Sequence, residues 1–269
     1  MRAAVTVFAV VVASAIAACS LGLSSDEFAG GAVDGGAADA GAADSGAGSQ
    51  DGSPGSDATA DAAAVIPDLL ARFRFDEGEG TTAKNDVDGG PAGTLKNGAT
   101  WVPGKIGASA LHLDGVDDAV QIAASPKLEI GNSFTITMWV SIDKIPTTDD
   151  PRLFVETDRF DIKLTAGKPQ LSIQPTYEYF LASYTMPIGE WHNLALTFAS
   201  GAVSIWVDGV SSSAQENTLE AGATLPAPSP QGMTIGAYID GASPYAGRID
   251  DVRIYARVLT AAEIQSIAK

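Results

Sequence analysis

Ser133-Phe134-Thr135-Ile136-Thr137-Met138-Trp139-Val140 is the stretch from which the rest of the chain is read. Phe134, Ile136, Met138 and Val140 fall on one side of an extended backbone, and Thr135, Thr137 and Trp139 on the other. That period of two is the mark of a strand. The pattern recurs in Trp191 to Phe198 and in Ala202 to Val207, with Ser200-Gly201 as a tight turn between them and Asp208-Gly209 as the next turn. Leu69 to Phe75, Leu111 to Leu113, Ala119 to Ile122, Leu153 to Glu156, Asp161 to Leu164, Leu171 to Gln174, Met233 to Tyr238 and Arg248 to Tyr255 are further short runs bounded by Gly, Pro, Asp and Asn. Many short strands between turn signals predict an all-β sandwich or barrel. Only Thr260 to Ile267 is helical in character: Thr260 and Glu263 have capping-box spacing, and Ile264 and Ile267 would bind the helix to the sandwich.

Toward the other end the composition changes. Arg2 and the uncharged apolar run Ala3 to Ala18 read as a secretory leader, residues 1–18, too short and too soon interrupted for a membrane span. The run ends Ile16-Ala17-Ala18-Cys19, and Cys19 is the sole cysteine. Small residues before a cysteine resemble the bacterial lipobox, in which the thiol accepts diacylglycerol. Cleavage by ordinary signal peptidase after Ala15 or Ala17 is the alternative. Residues 19–64 follow as a linker of Gly, Ala, Ser and Asp, with too little apolar surface to offset the entropy of ordering. Such a coil of ~45 residues spans on the order of 35–40 Å. Residues 65–269 form the folded domain. The expected location is the cell envelope, with a lipid anchor as the only membrane contact and Ser20 compatible with the outer membrane.

The formal net charge of -17 excludes the counterion-releasing basic surface that nucleic acid requires. A hydrolase base would have to be His112 or His192. His112 alternates with Leu111 and Leu113 and faces away from them; His192 opens a strand and is read as structural. There is no zinc-ligand spacing and no phosphate-cradling glycine loop before a helix. Trp191 is expected in the interior, whereas Trp139 alternates against Phe134 and Ile136.

Four segments together resemble the laminin-G-like jelly-roll family of the concanavalin A-like lectin/glucanase superfamily. They are Phe75 to Thr82, followed by Gly93-Thr94-Leu95 and Trp101 to Lys105; Leu111 to Asp118; Trp191 to Ala195, running on to Val207-Asp208-Gly209; and Gly247 to Thr260. The resemblance covers Leu69 to Lys269 and implies a two-sheet antiparallel jelly roll with a short C-terminal helix. The superfamily holds sugar binders, adhesion modules, enzymes and structural domains, so the fold alone names no ligand. Its glucanases carry Glu-x-Asp-x-x-Glu along one strand, and no such string occurs here, so no enzyme is expected.

Two binding classes remain. In glycan recognition, Tyr177, Tyr179, Tyr184 and Tyr245 would stack on sugar faces. In the alternative, the domain is a structural or protein–protein adhesion module that meets cell-surface proteins and takes no small ligand. The resemblance also implies a structural calcium ion between the loop after the first motif and the last strand, with Asp76, Glu77, Asn85, Asp88, Asp250 and Asp251 as candidate ligands. The same acids could instead cap turns and bind loop amides.

Overall fold

The computed structural model describes residues 66–145, 150–174, 177–180, 184–213, 215–216 and 224–269. In chain order the strands are β1 (Leu69–Phe73), β2 (Thr82–Ala83), β3 (Gly93–Lys96), β4 (Thr100–Pro103), β5 (Ser109–Asp114), β6 (Ala119–Ile122) and β7 (Ser133–Ile142). They continue with β8 (Arg152–Glu156), β9 (Phe160–Thr165), β10 (Lys168–Ile173), β11 (Tyr177–Phe180), β12 (Trp191–Ala199), β13 (Ala202–Val207), β14 (Val210–Ser213), β15 (Gln215–Glu216), β16 (Met233–Ile235) and β17 (Ala246–Tyr255). The helix α1 (Ala261–Ile267) follows.

The strands form two antiparallel sheets, and the expected all-β jelly-roll class is what the chain adopts. The first runs β14-β13-β12-β7-β17-β5-β4, with β1 also on β17; the second runs β15-β11-β10-β9-β8-β16-β6-β3-β2. Between them lies one apolar core, in which Phe134 stacks on Phe160 at 4.9 Å and on Phe198 at 5.6 Å. The ring contacts thus tie β7 of one sheet to β9 of the other.

Turn chemistry sets the registers. Ser200 and Gly201 both take positive φ, 46° and 95°, and Ala199 pairs with Ala202 across them. Asp208 and Gly209, at 51° and 72°, do the same between Val207 and Val210. Two-residue loops with both φ angles positive match the right-handed twist of the strands they join. Met233 to Tyr238 is shorter than its sequence pattern suggests, because Gly236 at φ +96 ends β16 and sends Ala237 and Tyr238 into a loop.

The threonine face of β7 is covered as well. Thr135 Oγ1 donates to Arg257 O at 2.8 Å and accepts from Leu259 N at 2.9 Å, which lays the segment after β17 over the sheet. Helix α1 completes the cover with Ile264 and Ile267, which cluster with Ala195, Leu259 and Tyr255. Its capping box forms as the sequence predicts. Trp139 on the same face is also buried, at 4% exposure, with Lys105 Nζ of the β4–β5 loop 4.8 Å from its ring centre. Trp191 reverses its expectation: its ring is half-buried, with the Arg248 guanidinium 5.8 Å away, because the strand end lies beyond the cover.

Candidate functional site

Alternation along β8, β9, β10 and β16 gives the second sheet an apolar inner face and a polar outer one. Phe154, Ile162 and Leu171 face the core. On the other parity the backbone register runs Ser172, Asp161, Val155, Thr234, Gln121 and Thr94 across β10, β9, β8, β16, β6 and β3. Five of these six residues carry a hydroxyl, amide or carboxylate.

The loop after β16 folds onto this row. Thr234 Oγ1 donates to Ala237 O at 2.5 Å, Gln121 Nε2 donates to Ile239 O at 3.3 Å, and Tyr238 OH donates to Asp161 Oδ2 at 3.3 Å. Arg152 lies against the same tyrosine, its guanidinium 4.7 Å from the ring centre and its Nε 3.3 Å from Asp161 Oδ1. Asp161 thus holds both partners. Burial and the neighbouring Asp161 charge raise the Tyr238 hydroxyl above its ordinary pKa, so it stays a neutral donor. Asp161 and Thr234 are buried, Gln121, Arg152 and Tyr238 half-buried, and Thr94 exposed. The row is therefore reachable at its Thr94–Gln121–Tyr238–Arg152 side. Hydroxyl, amide and guanidinium groups beside one aromatic ring are the parts that read sugar hydroxyls and stack on a sugar face.

The sequence-named residues lie elsewhere. Cys19 is outside the described residues. Tyr177 and Tyr179 pair with Ile173 and Leu171 in the backbone register, but their side chains are outside the described residues. Tyr184 is half-buried, its ring edge-on to His192 at 6.2 Å and its hydroxyl 3.4 Å from His192 Nδ1. Tyr245 is a correction: it is fully buried, because its amide donates to Gly236 O at 2.7 Å and draws the ring into the core. It cannot stack on a sugar. His192 Nδ1 lies 2.7 Å from Asp208 Oδ2, and His112 Nε2 lies 2.8 Å from Asp143 Oδ2.

The six residues named for calcium are bonded mainly to the protein itself. Asp76 Oδ1 accepts from the amides of Ala108 and Ser109, and Asp250 Oδ2 from those of Lys105 and Ile106 at 2.8 and 2.9 Å. The loop between β4 and β5 is thereby clamped at both ends. Gly107 at its tip takes φ +72, and a Cβ there would lie 2.3 Å from Asp76 Oδ1. Asn85 Oδ1 accepts from Arg72 N and Val87 N, and Glu77 Oε1 from Lys84 N. Asp88 is exposed and offers its main-chain oxygen to Lys127. Asp251, with φ +44 at the bulge of β17, binds Arg72 and Arg253.

Burial pushes the Asp250 carboxyl up to about 6 against the Ile106 and Lys105 amides that lower it, and the Asp251 charge adds to the rise. Glu77 Oε2 and Asp250 Oδ1 are left buried without a hydrogen-bond partner. Among the described residues no three of these carboxylates gather within reach of one another.

A cleft of about 240 Å³ at the end of the second sheet is lined by Glu129, Glu156, Ser229, Pro126 and Met233 among others, and the Glu156 charge is matched. Arg159 Nη1 lies 2.8 Å from Glu156 Oε2. No helix among the described residues is long and apolar enough to cross a membrane.

A family model for a laminin-G domain, described as concanavalin A-like lectin/glucanases superfamily, matches residues 114–265, more than half of the chain. Among curated proteins none matches. Several solved structures share the fold. Domain 4 of AbnA, a GH43 extracellular arabinanase from Geobacillus stearothermophilus solved with arabinotriose, is 20% identical with a TM-score of 0.57, covering 75% of this chain and 98% of that one. The Trypanosoma rangeli sialidase is 19% identical with a TM-score of 0.57, covering 76% of this chain and 33% of that one. The binding domain of Paraclostridial Mosquitocidal Protein 1 is 13% identical with a TM-score of 0.59, covering 75% of this chain and 52% of that one. The chain thus spans nearly the whole arabinanase domain, about half of the mosquitocidal binding domain and a third of the sialidase.

Proposed function

Because the chain belongs to the laminin-G branch of the concanavalin A-like lectin/glucanase superfamily, we propose that its domain is a carbohydrate-binding module held at the cell surface by a lipid on Cys19. The observation that carries the reading is the polar row on the outer face of the second sheet, with Tyr238 and Arg152 both held on Asp161. A tyrosine ring kept in place by a carboxylate and a guanidinium is a stacking platform fixed in advance, which lowers the entropic cost of binding. Gln121 and Thr94 extend the same row toward solvent and would read ring hydroxyls. The arabinanase domain, solved with arabinotriose and spanned almost end to end by this chain, supports a glycan as the ligand class.

The module binds without turnover in this reading, since the sequence lacks the carboxylate string that glucanases of the fold place along one strand. The leader, Cys19 and the glycine-rich linker then set it outside the cell, in the outer membrane.

A glycan array that includes arabinose oligomers, probed with the full chain, tests the reading. Reproducible binding that Tyr238→Ala abolishes, with the thermal midpoint held near that of wild type, is the expected result. A blank array, together with recovery of cell-surface proteins by the same chain, would replace it with the adhesion module.

A further inference from the structure

The turn joining β5 to β6 reads Asp114-Gly115-Val116-Asp117-Asp118. Asp114 N donates to Asp118 Oδ2 at 2.9 Å, and Val116 N donates to Asp114 Oδ1 at 2.8 Å. Gly115 permits the closure with φ +77. The turn folds its three carboxylates together, so that one oxygen of each lies within 4.8 Å of the others.

No arginine, lysine or histidine nitrogen among the described residues forms an ion pair with the three. A Cβ on Gly115 would lie 3.3 Å from Lys144 Cε, so that side chain passes the turn. An acidic turn in water would be unremarkable, but Asp118 is not in water. It is 2% exposed, and its Oδ1 is buried with no hydrogen-bond partner. Burying a carboxylate oxygen without a donor is costly, and placing it beside two further carboxylates compounds that cost. Burial accordingly raises Asp118 above the usual carboxylate range, and the Asp114 and Asp117 charges add to the rise although the Asp114 amide opposes it. A cation would supply what the protein does not.

We propose that Asp114, Asp117 and Asp118 bind one hard divalent cation of the size of calcium. Calcium takes six to eight oxygens at about 2.3–2.6 Å, so oxygens on one ion lie up to about 5 Å apart, and three that lie within 4.8 Å of one another can share it. Magnesium, at about 2.0–2.1 Å and strictly octahedral, asks for a tighter set. Asp114 and Asp117 are exposed, which leaves room for water to complete the shell.

The turn is also a meeting point. Asn97 Nδ2 donates to Asp117 O at 2.8 Å, and a Cβ on Gly98 would lie 3.2 Å from Asp118 Oδ1. A Cβ on Gly241 would lie 3.3 Å from Asp117 Cβ, so the loop that carries Tyr238 rests on the same turn. A bound cation would brace three loops at once. It owes nothing to the six residues that the family resemblance singled out.

Calorimetric titration of calcium chloride into the chelator-treated full chain tests the proposal without any sugar. One site is expected, together with a rise in melting temperature in millimolar calcium. Asp117→Asn and Asp114→Asn, both on the exposed side of the turn, should each weaken binding by roughly tenfold or more. In chelator, Asp117→Asn should melt no lower than wild type, since it removes repulsion and no packing. Asp250→Asn should leave calcium affinity unchanged. No heat and no melting shift for wild type would overturn the proposal. So would calcium binding that survives Asp114→Asn and Asp117→Asn together, or that Asp250→Asn abolishes.

Discussion

Arg72 Nε lies 2.7 Å from Asp251 Oδ1, joining β1 to β17 across 179 positions of sequence. The other carboxylate oxygen takes Arg253 Nη2 at 2.5 Å, so one buried acid bonds two guanidiniums. Asp251→Ala would leave both arginines without their partner, and a broken buried pair costs about 3–5 kcal/mol. Denaturant unfolding should show that loss as a lower midpoint.

The same acid sets an acid limit. Burial alone would raise the Asp251 carboxyl, but the hydrogen bonds and charges of Arg253 and Arg72 outweigh it and hold the group below its ordinary range. A depressed folded value stabilises the domain above the unfolded value near 3.8, and that contribution is lost as pH falls through the lower folded value. Asp251→Asn should flatten the acid limb of a stability-against-pH curve measured below pH ~4. A limb of unchanged steepness would refute the assignment.

Asp250, its neighbour, works in the opposite sense. Its folded value of about 6 lies above the ordinary 3.8, so the fold favours the protonated form. Stability from this group is full below 3.8 and declines as pH rises through about 6. NMR titration of the Asp250 carboxyl should place its midpoint near 6, and Asp250→Asn should remove the decline between those two values. A midpoint in the usual carboxylate range would contradict it.

Trp139 and Trp191 should separate in denaturant melts. Trp139→Ala empties a covered site and is expected to cost about 3–5 kcal/mol, whereas Trp191→Ala, at a half-buried ring, should cost clearly less. Equal losses would mean that the Trp191 ring is as enclosed as that of Trp139.

Cys19→Ala should release the protein from membrane fractions while leaving the thermal melt of the domain unchanged. Metabolic labelling with a fatty-acid analogue should tag the wild type alone. An untagged wild-type protein in the soluble fraction would remove the anchor from the proposal.

Much of the fold was legible because strand alternation and turn chemistry are local. Phe134 to Val140 announced β7, and Ser200-Gly201 and Asp208-Gly209 announced two hairpins that form as written. The polar row was not legible, for a physical reason. Gln121, Asp161 and Thr234 each look like an ordinary solvent-side residue of an alternating strand, and only the register of six strands sets them side by side. Tyr238 looked like the end of a strand, and the positive φ of Gly236 turned it into a loop residue over that row. Tyr245 failed as a candidate because a Ser-Pro-Tyr segment reads as an exposed loop, while a single amide bond to Gly236 O pulls its ring inside. The Asp114–Asp118 turn lies in a segment that resembles the family, yet nothing in its letters shows that one of its three acids is buried.

Strand β17 has a consequence for how the domain is assembled. Its first half pairs with β5 and its second half with β1, while its other side pairs with β7. Three earlier strands therefore wait on one late partner, with loops of well over a hundred residues to close for β1 and β5. Such high contact order makes folding slow. A chain shortened before Ala246 would hold β1, β5 and β7 with open backbone edges, the condition that invites strand exchange between molecules.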